Sequence, residues 1–368
     1  MRLLVAAGAS GGGVYPALAV LQELEDDALE LLWVGGEGGM EEDLVTRAGY
    51  QITTLPAAGL HGVGARALPG NLLQIWSGFW AARKLLAEFK PQALFFTGGF
   101  VAAPVALAGS NIPTLAFVPD VKPGFALRFV ARFADRIALV TEKSASYFSR
   151  PQRLHTTGYP VRKDLAKWKK EVARAHFGLQ PDLPVLLVFG GSKGARSINQ
   201  ALTSVLPRLL KNTQIIHISG SLNWPESQAA ASQLPKELAA RYLAFHYLHD
   251  DMGAALAAAD LVLSRAGAST LGEFPLFGLP AVLVPIPFKQ HLQHVNAAYL
   301  EKTGAAIILE DKSMSDHLAS TILGLLSDSD QLSKMSAAMQ KLHQPNAAQQ
   351  IAQLLRGLAG DSKEGRRT

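Results

Sequence analysis

Two stretches of this chain open in the same way. Leu3-Leu4-Val5-Ala6-Ala7 runs into Gly8-Ala9-Ser10-Gly11-Gly12-Gly13, and Leu186-Leu187-Val188-Phe189 runs into Gly190-Gly191-Ser192-Lys193-Gly194. Each reads as a buried strand, a tight glycine turn and the start of a helix, the first with Pro16 in its opening turn. Between and beyond them, short apolar segments such as Thr114–Val118 and Leu261–Ser264 alternate with longer helical stretches. Such alternation implies parallel strands joined by crossover helices. The expected fold is therefore α/β, with two Rossmann-like domains whose parallel sheets face an interdomain cleft, because open parallel sheets bind ligands beyond the carboxyl ends of their strands. The domains are expected over residues 1–160 and 161–345, joined near Gly158 to Lys170, with a C-terminal helix and a disordered tail over 346–368.

Composition narrows the class. A chain of 368 residues exceeds one ordinary core, and 48% apolar against 18% charged residues suits large packed interiors. The sequence has no cysteine, which excludes disulfides, thiolate metal sites and a cysteine nucleophile. No apolar run reaches the ~20 residues that span a bilayer, and Met1-Arg2 leads straight into a strand without a signal-peptide pattern. A formal net charge of +5 suits an anionic partner, either a phosphate-bearing substrate or an acidic membrane face. Nucleic acid is not expected, since no basic helix carries interleaved stacking aromatics.

The glycine turns are the first candidate sites. Successive N–H groups at a helix start form an anion site backed by about half a positive charge, so Ser10-Gly11-Gly12 and Gly190-Gly191-Ser192 can each cradle a phosphate, or can simply be tight turns. The nicotinamide fingerprint G-x-G-x-x-G is not met after the first strand. Both turns satisfy G-x-S-x-G, the elbow of serine hydrolases, but that chemistry needs one serine followed by an acid and a histidine, and here the pattern occurs twice.

The stretch SRAGASTLGEF, from Ser264, ends a strand in a small-residue turn, where Ser269 or Thr270 can cap a helix. Glu273 can then accept two hydrogen bonds from a ribose diol while turn amides meet a diphosphate, or it can close a capping box. Downstream, Gln290, Gln293 and Asn296 offer amides suited to hydroxyls, and His291 and His294 have metal-ligand spacing without a third ligand nearby. No metal or other cofactor is expected; Asp328-Ser329-Asp330 reads as a helix cap. Asn71 to Pro91 carries Ile75, Trp76, Phe79 and Trp80 with Arg83 and Lys84. This is a core helix, an interfacial helix that sets tryptophans at lipid headgroups, or both, with one face each.

Taken together, GASGGGVYPALAV, TGGFVAAPVALAG, GYPVR, FGGSKGARSINQ, DDM and SRAGASTLGE resemble the MurG family of N-acetylglucosaminyltransferases, in the family's order from the first strand to the neighbourhood of Glu310. The resemblance implies a GT-B fold. It implies inverting, metal-free transfer of N-acetylglucosamine from UDP-N-acetylglucosamine to a polyprenyl-diphosphate-linked muramyl sugar at the inner face of the cytoplasmic membrane. By position, it puts Ser10, Gly11 and Gly12 near the donor diphosphate and acceptor, and Arg162 and Ser192 at the diphosphate or nucleotide. It puts His249 where backbone meets uracil, Ala268, Ser269, Thr270, Leu271 and Gly272 in the phosphate turn, Glu273 on the ribose and Gln293 on the sugar.

Three positions depart from the family pattern. Gly13 stands where the family has a histidine thought to assist catalysis, Phe117-Val118-Pro119-Asp120 replaces a segment ending in asparagine, and Leu292 replaces one of two sugar-site glutamines. A general base is worth about 10² to 10⁴ in rate, and Gly13 has none to offer. Asp120 is the expected substitute. The alternatives are a transferase acting on another lipid acceptor and a non-catalytic UDP-sugar-binding homologue.

Overall fold

The computed structural model describes residues 1–8, 11–25, 28–39, 41–57, 68–191, 194–288 and 292–364. The chain divides into two compact units, one formed by Met1–Arg162 with Gln344–Thr368 and the other by Lys163–His343.

The first unit holds a seven-stranded sheet of β1 (Arg2–Ala6), β2 (Glu30–Gly36), β3 (Ile52–Leu55), β4 (Ala93–Phe96), β5 (Thr114–Val118), β6 (Arg136–Leu139) and β7 (Leu154–Thr156). Its order is β3-β2-β1-β4-β5-β6-β7, and all pairs are parallel. Helices α1 (Gly11–Gln22), α2 (Glu41–Arg47), α3 (Leu68–Phe89), α4 (Ala102–Ala108) and α5 (Phe125–Val130) make the crossovers. Strands covered on both faces need apolar side chains at most positions, which is why β4 reads as an unbroken apolar run and β5 departs from one only at Thr114, both being buried throughout. Trp33, Phe95, Phe96 and Phe117 are fully buried, and each contributes about 1.5–3 kcal/mol by leaving water.

The second unit repeats the scheme with β8 (Val185–Phe189), β9 (Gln214–Ile218), β10 (Tyr242–Phe245), β11 (Leu261–Ser264), β12 (Ala281–Leu283) and β13 (Ala306–Ile308). The order is β10-β9-β8-β11-β12-β13, again parallel.

The structure differs from the sequence reading in three places. The first helix starts at Gly11, inside the glycine run, so Pro16 lies beyond the opening turn. The three glycines accept helical backbone and carry the helix start closer to β1. At the other end, the helix Ala347–Glu364 is part of the first unit and packs on α1, β4 and β5. Ile351, Leu355 and Leu358 are its buried stripe, and Arg356 donates to the Glu23 carbonyl at 2.8 Å. Helix thus continues through Gly360 to Glu364, where a disordered tail was expected; residues 365–368 lie outside the described residues. Finally, Ser269 and Thr270 do not cap a helix. Ala268–Leu271 forms a 3-10 turn in which the Thr270 hydroxyl donates to the Gly267 carbonyl at 2.7 Å, and the following short helix begins at Glu273.

Candidate functional site

In the first unit the strand order reverses between β1 and β4, which opens a crevice at their carboxyl ends. Gly8 leaves β1 there, and Gly11 and Gly12 present their N–H groups at the start of α1. Ser10 lies outside the described residues. β4 is followed by Thr97, Gly98 and Gly99, the last two with φ of 134° and 92°. This left-handed backbone lets Gly99 press on the β1 turn, where a Cβ would come 3.1 Å from the Gly8 nitrogen.

Gly13 faces the same crossing. A Cβ on it would lie 3.1 Å from the Gly8 carbonyl oxygen and 3.6 Å from that of Thr97, and the Thr97 hydroxyl donates to the Gly13 carbonyl at 2.6 Å. The position expected to lack a base is therefore enclosed by main chain. Asp120 follows β5 and is half-buried, and its carbonyl accepts from the Ser144 hydroxyl at 3.5 Å. The Arg162 guanidinium stacks 4.7 Å over the Tyr15 ring, whose edge lies 3.0 Å from where a Cβ on Gly11 would be. One aromatic ring thus joins the helix start to the arginine assigned to the diphosphate.

The outer face of α3 carries an apolar patch between Leu73 and Trp80. Leu73, Trp76 and Trp80 are 69%, 62% and 53% exposed, while Ala82 and Leu86 point inward. Ile75 and Phe79 are half-buried, Arg83 and Lys84 are exposed on the following turn, and Trp76 and Trp80 meet edge to face at 5.9 Å. The helix is both core and surface, one face each. Among the described residues no helix is long and apolar enough to cross a membrane.

The second unit has its switch point between β8 and β11. Its glycine turn closes with Gly194 N–H donating to the Gly191 carbonyl at 2.9 Å, and leads into the helix Arg196–Leu209; Ser192 lies outside the described residues. Gly194, with φ of 76°, abuts the Ser219 carbonyl so closely that any Cβ would overlap it. Beneath the turn runs a fully buried polar chain. Asn199 donates to the Ser219 carbonyl at 2.8 Å, its Oδ1 faces His217 Nε2 at 3.0 Å, and His217 Nδ1 faces the Tyr242 hydroxyl at 2.7 Å. An amide oxygen only accepts, so Nε2 carries the proton and Tyr242 donates to Nδ1. Burial lowers the His217 pKa to about 4 and raises that of Tyr242 to about 12, the latter offset in part by a hydrogen bond with Ser227.

Beyond β11, Arg265 ties together the loops at the carboxyl end of the second sheet. It donates to the Val284 and Pro285 carbonyls at 3.0 and 3.2 Å, to the Ser197 hydroxyl at 2.8 Å, and pairs with Asp311 at 2.7 Å. The turn it introduces is held by Asn296, fully buried, which donates to the Ala266 carbonyl at 3.2 Å. Asn296 was expected among the hydroxyl-facing amides; the backbone takes it instead. Glu273 sits at the end of the turn, 8% exposed. Gln293 Oε1 accepts from Ile286 N–H at 3.1 Å, and the His294 Nε2 lies 2.7 Å from the Ile286 carbonyl, a donor's contact rather than a metal ligand's. His249 is exposed with its ring 4.4 Å from that of Tyr247, and His291 and Gln290 lie outside the described residues. The Asp328 carboxylate caps the helix Ser329–Gln340 by accepting from Gln331 N–H at 2.9 Å. Sequence reasoning missed Arg265 and the His217 chain; an arginine directly after a buried strand and a histidine inside one were the available signals.

Two parallel-sheet units, each with a glycine turn at its switch point, are the organisation of GT-B glycosyltransferases. Residues 3–139 match the glycosyltransferase family 28 N-terminal domain and residues 185–351 its C-terminal domain, and the chain belongs to glycosyltransferase family 28. It is 38% identical to the UDP-N-acetylglucosamine–N-acetylmuramyl-(pentapeptide) pyrophosphoryl-undecaprenol N-acetylglucosamine transferase of Roseiflexus sp., over 97% of this chain and 95% of that one. The same-named protein of Desulforudis audaxviator is 35% identical over 98% and 99%. The crystal structure of Acinetobacter baumannii MurG aligns with a TM-score of 0.73 at 27% identity, covering 97% of this chain and 99% of that one.

Proposed function

We propose that this enzyme transfers N-acetylglucosamine from UDP-N-acetylglucosamine to the undecaprenyl-diphosphate-linked N-acetylmuramyl-pentapeptide, converting lipid I to lipid II in peptidoglycan synthesis. The observation that carries this reading is near-full-length identity, at 38% and 35%, to proteins named for that reaction.

The second unit takes the donor. Amides of the turn Ala268, Ser269, Thr270, Leu271 and Gly272, with Ser192, meet the diphosphate; Glu273 accepts from the ribose hydroxyls; the backbone at His249 meets uracil. Gln293, whose Oε1 accepts from Ile286 N–H, meets the donor sugar. The first unit takes the acceptor at Ser10, Gly11 and Gly12, and Arg162 offers its guanidinium to a diphosphate. The acceptor hydroxyl attacks C1 of the sugar from the face opposite UDP, its proton passes to Asp120, and the C1–O bond to the diphosphate breaks with inversion. Charge released on UDP is met by helix-start amides, which are worth most where water is excluded.

The enzyme works as a peripheral protein at the inner face of the cell membrane. Leu73, Trp76 and Trp80 enter the headgroup layer and Arg83 and Lys84 meet anionic lipid, at about 1 kcal/mol per cation near the surface.

The test is an assay of the purified chain with radiolabelled UDP-N-acetylglucosamine and a short-chain lipid I analogue, following UDP release and labelled lipid together. Labelled disaccharide lipid is expected. Donor binding without transfer would replace this reading with another acceptor or a non-catalytic binder.

A further inference from the structure

Among the described residues of the first unit, Glu41 is the only charged residue that is fully buried, at 2% exposure. A carboxylate withdrawn from water is costly unless it is hydrogen-bonded, so its place needs a reason. Glu41 is the first residue of α2, and its Oε1 accepts from Gly36 N–H, at the end of β2, at 2.9 Å. The rest of its side chain fills space left by glycines. A Cβ on Gly8 or Gly39 would overlap the carboxylate, and one on Gly35 would lie 2.9 Å from its Cγ.

Gly8 is the contact that matters. It is also the residue against which Gly13 and Gly99 pack, with would-be Cβ distances of 3.1 Å in each case, and the Trp33 indole N–H holds the preceding Ala7 carbonyl at 3.1 Å. The turns after β1, β2 and β4 therefore meet at one residue, with Glu41 wedged against it from the β2 side. We propose that Glu41 is a positioning residue for the acceptor half of the reaction. By fixing Gly8, it sets the start of α1 and the Gly98-Gly99 turn in the register that receives the acceptor. This rests on the reading that the first unit binds the acceptor.

The experiment compares full-length Glu41→Ala and Glu41→Gln with the wild type. Glutamine keeps the shape and an oxygen for Gly36 N–H; alanine leaves the wedge empty. Misplacing a reacting group by about 1 Å costs on the order of 10²-fold. Glu41→Ala is therefore expected to lower kcat with the lipid I analogue about that much, while the KM for UDP-N-acetylglucosamine, set in the second unit, moves less than about twofold. Glu41→Gln is expected to recover turnover to within a few-fold. Hydrogen exchange should rise in peptides spanning Gly8, Gly36 and Gly99 in the alanine variant alone.

Wild-type kcat in Glu41→Ala, equal damage from glutamine and alanine, or exchange confined to the Gly36 peptide would each overturn the proposal. If the wild type itself transfers no label, the functional reading fails, and the exchange comparison still decides whether Glu41 holds the three turns.

Discussion

Acidification should loosen the second unit through His217. In the folded protein this ring is sealed between Tyr242 and Asn199, and burial lowers its pKa from 6.5 to about 4. Above pH 6.5 it is neutral in both folded and unfolded chains and adds no pH dependence. Between 6.5 and 4 the unfolded chain binds a proton that the folded chain refuses, so unfolding gains ground as pH falls, and below 4 the effect is complete. At about 1.4 kcal/mol per pH unit, that displacement is worth about 3 kcal/mol, a large share of the 5–15 kcal/mol typical of a whole domain. Urea unfolding of the wild type and of His217→Gln at pH steps from 7 to 4 measures it. Carboxylates titrating in the same range act on both proteins, so the difference in slope isolates the histidine. The variant should be less stable at pH 7, because Tyr242 and Asn199 lose their partner, yet should lose about 3 kcal/mol less on acidification. Parallel slopes would refute the assigned neutral, buried histidine.

Three further outcomes are expected. Asp120→Asn should lower kcat by about 10² to 10⁴ while donor KM holds, and undiminished turnover in the transfer assay would remove Asp120 as the base. Arg265→Met leaves the half-buried Asp311 without its cation, and with side-chain exposures of 11% and 18% for the pair the loss should be up to about 3 kcal/mol; denaturant melts read it directly, and Asp311→Asn should cost less. Replacing Trp76 and Trp80 together with serine should abolish flotation with phosphatidylglycerol vesicles while leaving the melting temperature near wild type, because both side chains already face solvent.

The strands and their parallel arrangement were legible because a strand covered on both faces is apolar along most of its length, and the glycine turns marked where each sheet reverses. Helix boundaries in the glycine runs were not legible, since glycine accommodates turn and helix alike; Gly11 begins α1 for that reason. Residue type also misled where main chain competes for side chains. Asn296 suits a sugar hydroxyl as well as it suits the Ala266 carbonyl, and only the fold decides between them. Arg265 and His217 were invisible as network members because their partners lie on elements far away in sequence: Asp311 and Ser197 for one, Tyr242 and Asn199 for the other.

Gly13 and Glu41 are two aspects of one arrangement. A Cβ at Gly13 would stand 3.1 Å from the Gly8 carbonyl oxygen, a distance that a shift of a few tenths of an ångström would relieve. Gly8 is braced on the β2 side by the Glu41 carboxylate, which stands where a Gly8 Cβ would be, and Gly99 passes it on the β4 side. The lack of a side chain at Gly13 is thus matched by tight packing around Gly8. A base at this place would have to be accompanied by slack elsewhere in the crossing. On the function proposed above the base is then Asp120, half-buried just beyond β5 and two strands from β1, and the Asp120→Asn assay decides it.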